Sequence, residues 1–219
     1  MWCIQEITPE FRERMYDILG LYALPYDPKR PVIGVDEKPK QLIGDKRTPI
    51  PMRAGRCQRY DYEYVRNGTA TIFMAIDFKG GRRTTRVTSQ RTMRDFAKFI
   101  RHLVDRVYPE AEKLILVLDN LNTHKTKAFY EMYDAEEADR ILRKVEFHFT
   151  PKHASWLNVA EIEIGVMDAE CLRKRIPKKE LLRQEVIAWE RMRNKQKKKI
   201  DWRFTRQKAD DKLSAHYVT

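Results

Sequence analysis

K-L-I-L-V-L-D-N, residues Lys113 to Asn120, is the stretch on which the fold turns. Its near-continuous apolar run has strand length and no polar alternation. A strand reads this way when both of its side-chain rows are covered, because neither row may face water. It therefore implies a sheet with helices on both faces. The run ends in a carboxylate, Asp119, at the mouth of whatever loop follows.

The neighbours on either side fit that sheet. V-E-F-H-F-T (Val145 to Thr150) alternates strictly and stops at Pro151, which predicts a second strand. The Ala-, Glu- and Arg-rich segment from Thr126 to Lys144 between them reads as mostly helical. Upstream, Phe96, Phe99, Ile100, Leu103, Val104 and Val107 recur at helical spacing over Thr92 to Val107. T-A-T-I-F-M-A-I-D-F (Thr69 to Phe78) and R-T-T-R-V-T (Arg83 to Thr88) flank Lys79-Gly80-Gly81 and predict a hairpin. V-I-G-V-D (Val32 to Asp36) is another apolar run that ends in a carboxylate.

Residues 38 to 58 hold Pro39, Pro49 and Pro51 and read as a loop or irregular hairpin. Residues 5 to 23 predict a short helix opened by Thr8-Pro9-Glu10, with a proline-punctuated connector from Tyr26 to Pro31. Ser155 to Arg175 and Lys178 to Lys198 predict two helices parted by Pro177. The order is strand, hairpin, helix, strand, helix, strand, helix, helix. That is the order of an α/β, RNase H-like domain with a mixed five-stranded sheet flanked by helices. We divide the chain into an N-terminal helix and connector (1–30), an RNase H-like domain (31–175) and a basic helical extension (176–219).

The chain has 219 residues, 42% hydrophobic and 35% charged, enough for one well-buried domain with a heavily charged exterior. Its formal net charge of +12 suggests a polyanionic partner, nucleic acid first, with membrane surface or plain solubility as the bland alternative. Sixteen Lys and Arg against six Asp and Glu fall between Cys171 and Lys212. The basic character is therefore concentrated at the C-terminal end. Cys3, Cys57 and Cys171 form no close pair, which argues for a reducing compartment and against zinc. No membrane span and no signal peptide can be read, so a cytoplasmic location is expected.

Three acidic residues stand where chemistry could gather: Asp36 and Asp119 at strand ends, and Glu161 at the start of the helix after the last strand. If the first and fourth strands lie side by side, both aspartates converge at one edge. Oxygen ligands of this kind suit Mg²⁺, and two such ions can activate the attacking oxygen and stabilise the leaving oxygen of a phosphodiester. Any one strand-end aspartate is more often a turn or cap residue; three in this order are harder to dismiss. On a helical wheel Val159, Ile162, Val166 and Ala169 form the apolar stripe. Glu161 and Glu163 flank it on opposite sides, so geometry permits either. Asn158 and Gly165 share the Glu161 flank, with Gly165 leaving room beside the carboxylate.

Three segments resemble the DDE transposases of the mariner-like superfamily, in particular its bacterial insertion-sequence branch of the IS-six-thirty type. They are V-D-E-K-P (Val35 to Pro39), L-V-L-D-N-L-N-T-H (Leu116 to His124) and T-P-K-H-A-S-W-L-N-V-A-E-I-E (Thr150 to Glu163). I-D-W-R-F-T (Ile200 to Thr205) is similar as well, so the likeness runs from about residue 30 to the end. It implies metal-dependent cleavage of DNA at transposon ends and strand transfer, with DNA as partner, a homodimer in the working complex, and two Mg²⁺ ions replaceable by Mn²⁺. Carried over position by position, the catalytic and metal-holding triad falls on Asp36, Asp119 and Glu161, with Glu163 a structural neighbour. The 41 residues between Asp119 and Glu161 exceed the family's usual spacing, and the acidic 134–139 region is expected to absorb the excess.

Further DNA contacts are expected of His124, Lys152, His153, Asn158, Lys197, Lys198 and Lys199. Each has an ordinary alternative. His124 can support Asp119 or merely cap, Asn158 can orient Glu161 or a water, and the lysines can be solvated surface. Trp156 reads as a core residue rather than one that stacks on bases. Relatives carry N-terminal helix-turn-helix modules, for which the 35 residues ahead of Asp36 are too few, so weak and sequence-indifferent DNA binding is expected. Two rival readings stand beside the enzyme: a domesticated, inactive DNA-binding module, and a nuclease of the same fold without strand transfer.

Overall fold

The computed structural model describes residues 6–120 and 124–218. Cys3, and the Leu121 to Thr123 part of one motif, lie outside the described residues. The elements run in chain order α1 (Pro9–Ala23), β1 (Val32–Asp45), β2 (Tyr64–Asp77), β3 (Arg82–Thr88), α2 (Met93–His102), β4 (Leu114–Leu118), α3 (Lys127–Tyr130), α4 (Ala135–Arg143), β5 (Val145–Phe149), α5 (Val159–Met167), α6 (Lys179–Gln196) and α7 (Arg206–Leu213). The five strands form one sheet in the order β3-β2-β1-β4-β5. β1 pairs antiparallel with β2, and β2 with β3, whereas β1, β4 and β5 are mutually parallel. β1 and β4, whose adjacency the convergence of the two aspartates requires, are neighbours.

Strand alternation sorts the sheet's side chains onto two faces. On one, Ile33, Val35, Leu114, Leu116 and Leu118 pack against Phe96, Phe99 and Ile100 of α2 and Phe129 and Ile141 of the α3–α4 segment. On the other, Val32, Ile115 and Val117 meet Val159 and Ala160 of α5 and Ile18 and Tyr22 of α1. Farther along this second face Ile72 and Met74 meet Leu182, Val186 and Trp189 of α6. The basic C-terminal segment thus contributes apolar side chains to the sheet's own core. β4 is buried at every residue, as its unbroken apolar run requires.

Several boundaries differ from expectation. β1 does not end at Asp36 but continues to Asp45, and β2 begins at Tyr64 instead of Thr69. Of the two readings of 38–58, loop or irregular hairpin, the hairpin holds: 38–45 pairs with β2 through a register shift, and Ile50 bridges Arg59. Pro39 misleads because it sits opposite Thr71 of β2. β1 pairs with β4 only over Val32 to Gly34, so at Pro39 its other edge needs no N–H. The 126–144 segment is two helices, since the Asp134 side chain accepts from Glu137 N at 2.8 Å and starts a new one. The helix expected from Ser155 begins at Val159, after a 3₁₀ turn over Ser155–Leu157.

Candidate active site

Asp36 and Asp119 are brought level by the parallel pairing of β1 and β4. The register matches Ile33 with Leu116 and Gly34 with Val117. Two residues further on, Asp36 falls opposite Asp119, just past the end of β4. Alternation puts both side chains on the α5 face, with Val32 and Gly34 preceding one and Ile115 and Val117 the other. Neighbouring strands lie about 4.8 Å apart, so the two carboxylates are close.

Glu161 arrives through α5, and two residues seat that helix. A side chain at Gly34 would bring its Cβ within 2.5 Å of Val159 Cγ1 and 3.0 Å of Ala160 N, so glycine lets the helix start lie directly on β1. Asn158 caps the helix: its Oδ1 accepts from Ala160 N at 3.1 Å, while its Nδ2 donates to Val35 O at 2.9 Å. Tyr22 Oη adds a contact from α1, accepting from Val159 N and donating to Leu157 O. Glu161 then projects from the first turn, exposed, beside Asp36.

Burial, with the neighbouring charges of Asp119, Glu37 and Glu161, pushes the Asp36 carboxyl up to about 7, against an opposing hydrogen bond from Glu37 N. The folded chain thus holds this proton to higher pH than the unfolded chain does. Its contribution to stability is full below the ordinary value of 3.8 and is lost as pH rises to about 7. With divalent ions chelated, Asp36→Asn is therefore expected to be more stable than wild type at pH 8 by roughly 2–4 kcal/mol. The gap should shrink toward pH 4. Urea denaturation across that range checks it, and a gap independent of pH would contradict the charge burial.

The choice between the two glutamates of α5 is informed by packing. The buried residues of this helix are Val159, Ala160, Glu163 and Met167, while Ile162 is 45% exposed. The stripe expected from hydrophobicity is therefore rotated, and Gly165 borders open space instead of making room at the site. The cause is an ion-pair cluster. Arg83 Nη2 donates to Glu163 Oε2 at 2.9 Å, and Arg193 Nε donates to Glu163 Oε1 at 2.8 Å. Arg83 also donates to Gly81 O and Lys198 O. Glu163 is fully engaged in holding α5 to β3 and α6, and the two arginines keep its carboxyl below the usual range despite burial.

Other expected site residues divide. Lys152 and His153 are exposed on the turn leading to α5, and His153 adopts a left-handed backbone with φ 61°. Lys197, Lys198 and Lys199 are exposed where the chain returns along β3, close enough that a side chain at Gly81 would strike Lys197 O. Two expectations of DNA contact need correcting. Asn158 is buried, with its amide spent on the cap and on Val35. His124 is buried as well, between Asp119 and Glu37. Trp156, expected in the core, is 41% exposed and packs edge-on against Phe204 with ring centroids 5.4 Å apart.

Glu37 was not singled out by the sequence, although it stands in V-D-E-K-P. Its alternation with Val35 puts it on the α2 face, where a buried carboxylate demands a partner. That partner is His124, whose Nε2 lies 2.7 Å from Glu37 Oε1. His124 Nδ1 lies 3.0 Å from Asp119 O and also 3.0 Å from Asp119 Oδ1. The one proton on Nδ1 is directed at the backbone oxygen, so among the described residues the buried Oδ1 has no hydrogen-bond donor. Burial opposes a charge on this imidazole, but its contacts with Asp119 and Glu37 outweigh that and push it up to about 10.

The chain matches a family model described as DDE superfamily endonuclease over residues 31–183. Among solved structures it resembles the Mos1 transposase paired-end complex with left transposon end, with a TM-score of 0.58 and 14% identity over 87% of this chain and 57% of that one. The Mos1 mariner paired-end complex with Mn gives 0.56 and 16% over 88% and 58%. A pre-cleavage Mos1 transpososome gives 0.56 and 12% over 99% and 65%. The chain thus spans about three-fifths of the solved chains it matches, and the likeness places its five-stranded mixed sheet and flanking helices in the RNase H-like transposase fold. No curated protein sequence matches it.

Proposed function

The chain belongs to the DDE superfamily endonuclease family, and from that premise we propose that it is the catalytic part of a mariner-like DNA transposase of the bacterial insertion-sequence branch, cutting DNA at transposon ends and joining the freed end to a target. One observation carries the reading. Asp36 lies within electrostatic reach of Asp119 and Glu161 on the α5 face, and its burial together with their charges pushes its carboxyl up to about 7.

The donor set suits a divalent ion. It consists of carboxylate oxygens only, and among the described residues the buried Asp119 Oδ1 has no donor of its own. Asp36, Asp119 and Glu161 would hold Mg²⁺, or Mn²⁺ in its place, and the bound ions supply Lewis-acid stabilisation of the attacking and leaving oxygens of the phosphodiester. Glu161, on a helix seated by Gly34 and Asn158, completes the cluster from the solvent side. Lys152 and His153 on the adjoining turn, and Lys197 to Lys199, offer cationic or hydrogen-bonding side chains to the DNA backbone, a contact that weakens with salt. Paired-end complexes of the Mos1 relatives support a homodimer as the working unit.

The test uses purified chain, duplex DNA and a labelled pre-cut 3′ end, with Mg²⁺ or Mn²⁺ and with chelator. Metal-dependent nicking together with joining of the labelled end is the expected result. Hydrolysis without joining would make it a nuclease of the same fold. No carboxylate-dependent uptake of Mg²⁺ in calorimetry would leave only a basic DNA-binding module.

A further inference from the structure

We infer that Glu37 and His124 are positioning residues for Asp119, forming a buried Glu37–His124–Asp119 chain that crosses from the α2 face of the sheet to the α5 face and sets the Asp119 carboxylate. The inference rests on the reading of Asp119 as a metal-holding residue.

The need for such a device follows from where Asp119 sits. The ladder between β4 and β5 ends at Leu118 paired with Phe149. Asp119 therefore lies one residue beyond the region where strand pairing fixes the backbone. Among the described residues no backbone N–H donates to its carbonyl. His124 supplies the hydrogen bond instead, reaching back five residues to Asp119 O at 3.0 Å and standing equally near Oδ1. One imidazole thus bonds the backbone of Asp119 and lies against its carboxylate.

The imidazole is itself held from two sides. Its ring is fully buried against Phe96, with centroids 4.6 Å apart. At its far nitrogen it meets Glu37 Oε1 at 2.7 Å, and the Glu37 side chain is also fully buried. A fully buried carboxylate such as that of Glu37 costs several kcal/mol unless a charged or donating partner faces it. His124 fills that role and cannot turn away without leaving Glu37 unpaired. Glu37 thereby fixes which nitrogen faces Asp119, the logic by which an outer carboxylate orients a histidine at a metal centre.

Glu37, Asp119 and His124 could alternatively gather around an ion of their own, since their ligand atoms lie within 4.8 Å of one another. The geometry disfavours it. Each ring nitrogen already faces a different carboxylate at hydrogen-bond distance, and a ring nitrogen must shed its proton to take an ion.

Glu37→Gln keeps the shape and one acceptor oxygen but removes the charge, and His124→Asn removes the reach to Glu37. With folding verified by circular dichroism, both are expected to raise the calorimetric Kd for Mg²⁺ by about 10- to 100-fold. Cleavage should recover to within a few-fold of wild type at saturating Mg²⁺. In the metal-free protein, nitrogen-15 NMR should show two slowly exchanging imidazole N–H protons on His124, with the Nε2 proton losing its protection in Glu37→Gln. Unchanged Mg²⁺ affinity accompanied only by a lower Tm would overturn the inference, because a purely structural contact moves stability alone. So would Zn²⁺ uptake that disappears in His124→Asn. If wild type takes up no Mg²⁺ and cuts no DNA, the nuclease reading itself falls, and the imidazole signals still decide whether the buried chain exists.

Discussion

Glu161→Gln is expected to slow metal-dependent DNA cleavage by about three orders of magnitude while leaving the Tm of the metal-free protein unchanged. Loss of one anionic ligand removes several kcal/mol of charge stabilisation from the transition state, and about 4 kcal/mol corresponds to a thousandfold. The structural half of the expectation follows from the surroundings of the residue. Glu161 is exposed and, among the described residues, its side chain makes no hydrogen bond or ion pair. An isosteric amide there disturbs neither core nor cap, and surface changes of that kind shift stability by about ±0.5 kcal/mol or less. Single-turnover cleavage at saturating Mg²⁺, set beside thermal melting in chelator, separates the two effects. A variant that cuts within tenfold of wild type would remove Glu161 from the reaction.

The elements that position this site were legible because their signals are local. Asp119 closes an unbroken apolar run and Asp36 ends V-I-G-V-D, whereas the cap role of Asn158 was hidden because the helix was expected to begin at Ser155. The β1–β4 adjacency that joins the two aspartates was a condition of that reading, and the sheet order meets it. What escaped the sequence depends on contacts between residues far apart in the chain. Glu163 lies in a helix whose buried face cannot be found from hydrophobicity, because the arginines that neutralise it are 80 and 30 residues away. Glu37 needs His124, 87 residues on, to justify its burial. Trp156 is a large aromatic whose type alone reads as core, yet it lies on the exposed 3₁₀ turn ahead of α5. Pro39 suggested a loop because the missing β4 partner on its edge is a property of the sheet and not of the segment.

Two residues along the helix from Glu161, the opposite outcome is expected: Glu163→Ala should destabilise the fold by about 3–5 kcal/mol. The alanine leaves Arg83 and Arg193 facing each other across a buried gap with no anion between them. Arg83 is 0% and Arg193 9% exposed at the side chain, so water cannot take over the role of the carboxylate. Arg83 keeps its contacts to Gly81 O and Lys198 O, but those neutral oxygens do not balance its charge. Glu163→Gln retains the shape and one acceptor oxygen for two guanidinium groups, so it should fall between alanine and wild type. Replacing Arg83, Glu163 and Arg193 together by apolar residues of similar volume should recover much of the loss, because desolvation of the three charges offsets most of what their attraction contributes. Denaturation midpoints in chelator give the ranking. If Glu163→Ala proved as stable as wild type, the cluster could not be what rotates α5, and the assignment of Glu161 rather than Glu163 to the carboxylate group would lose its structural basis.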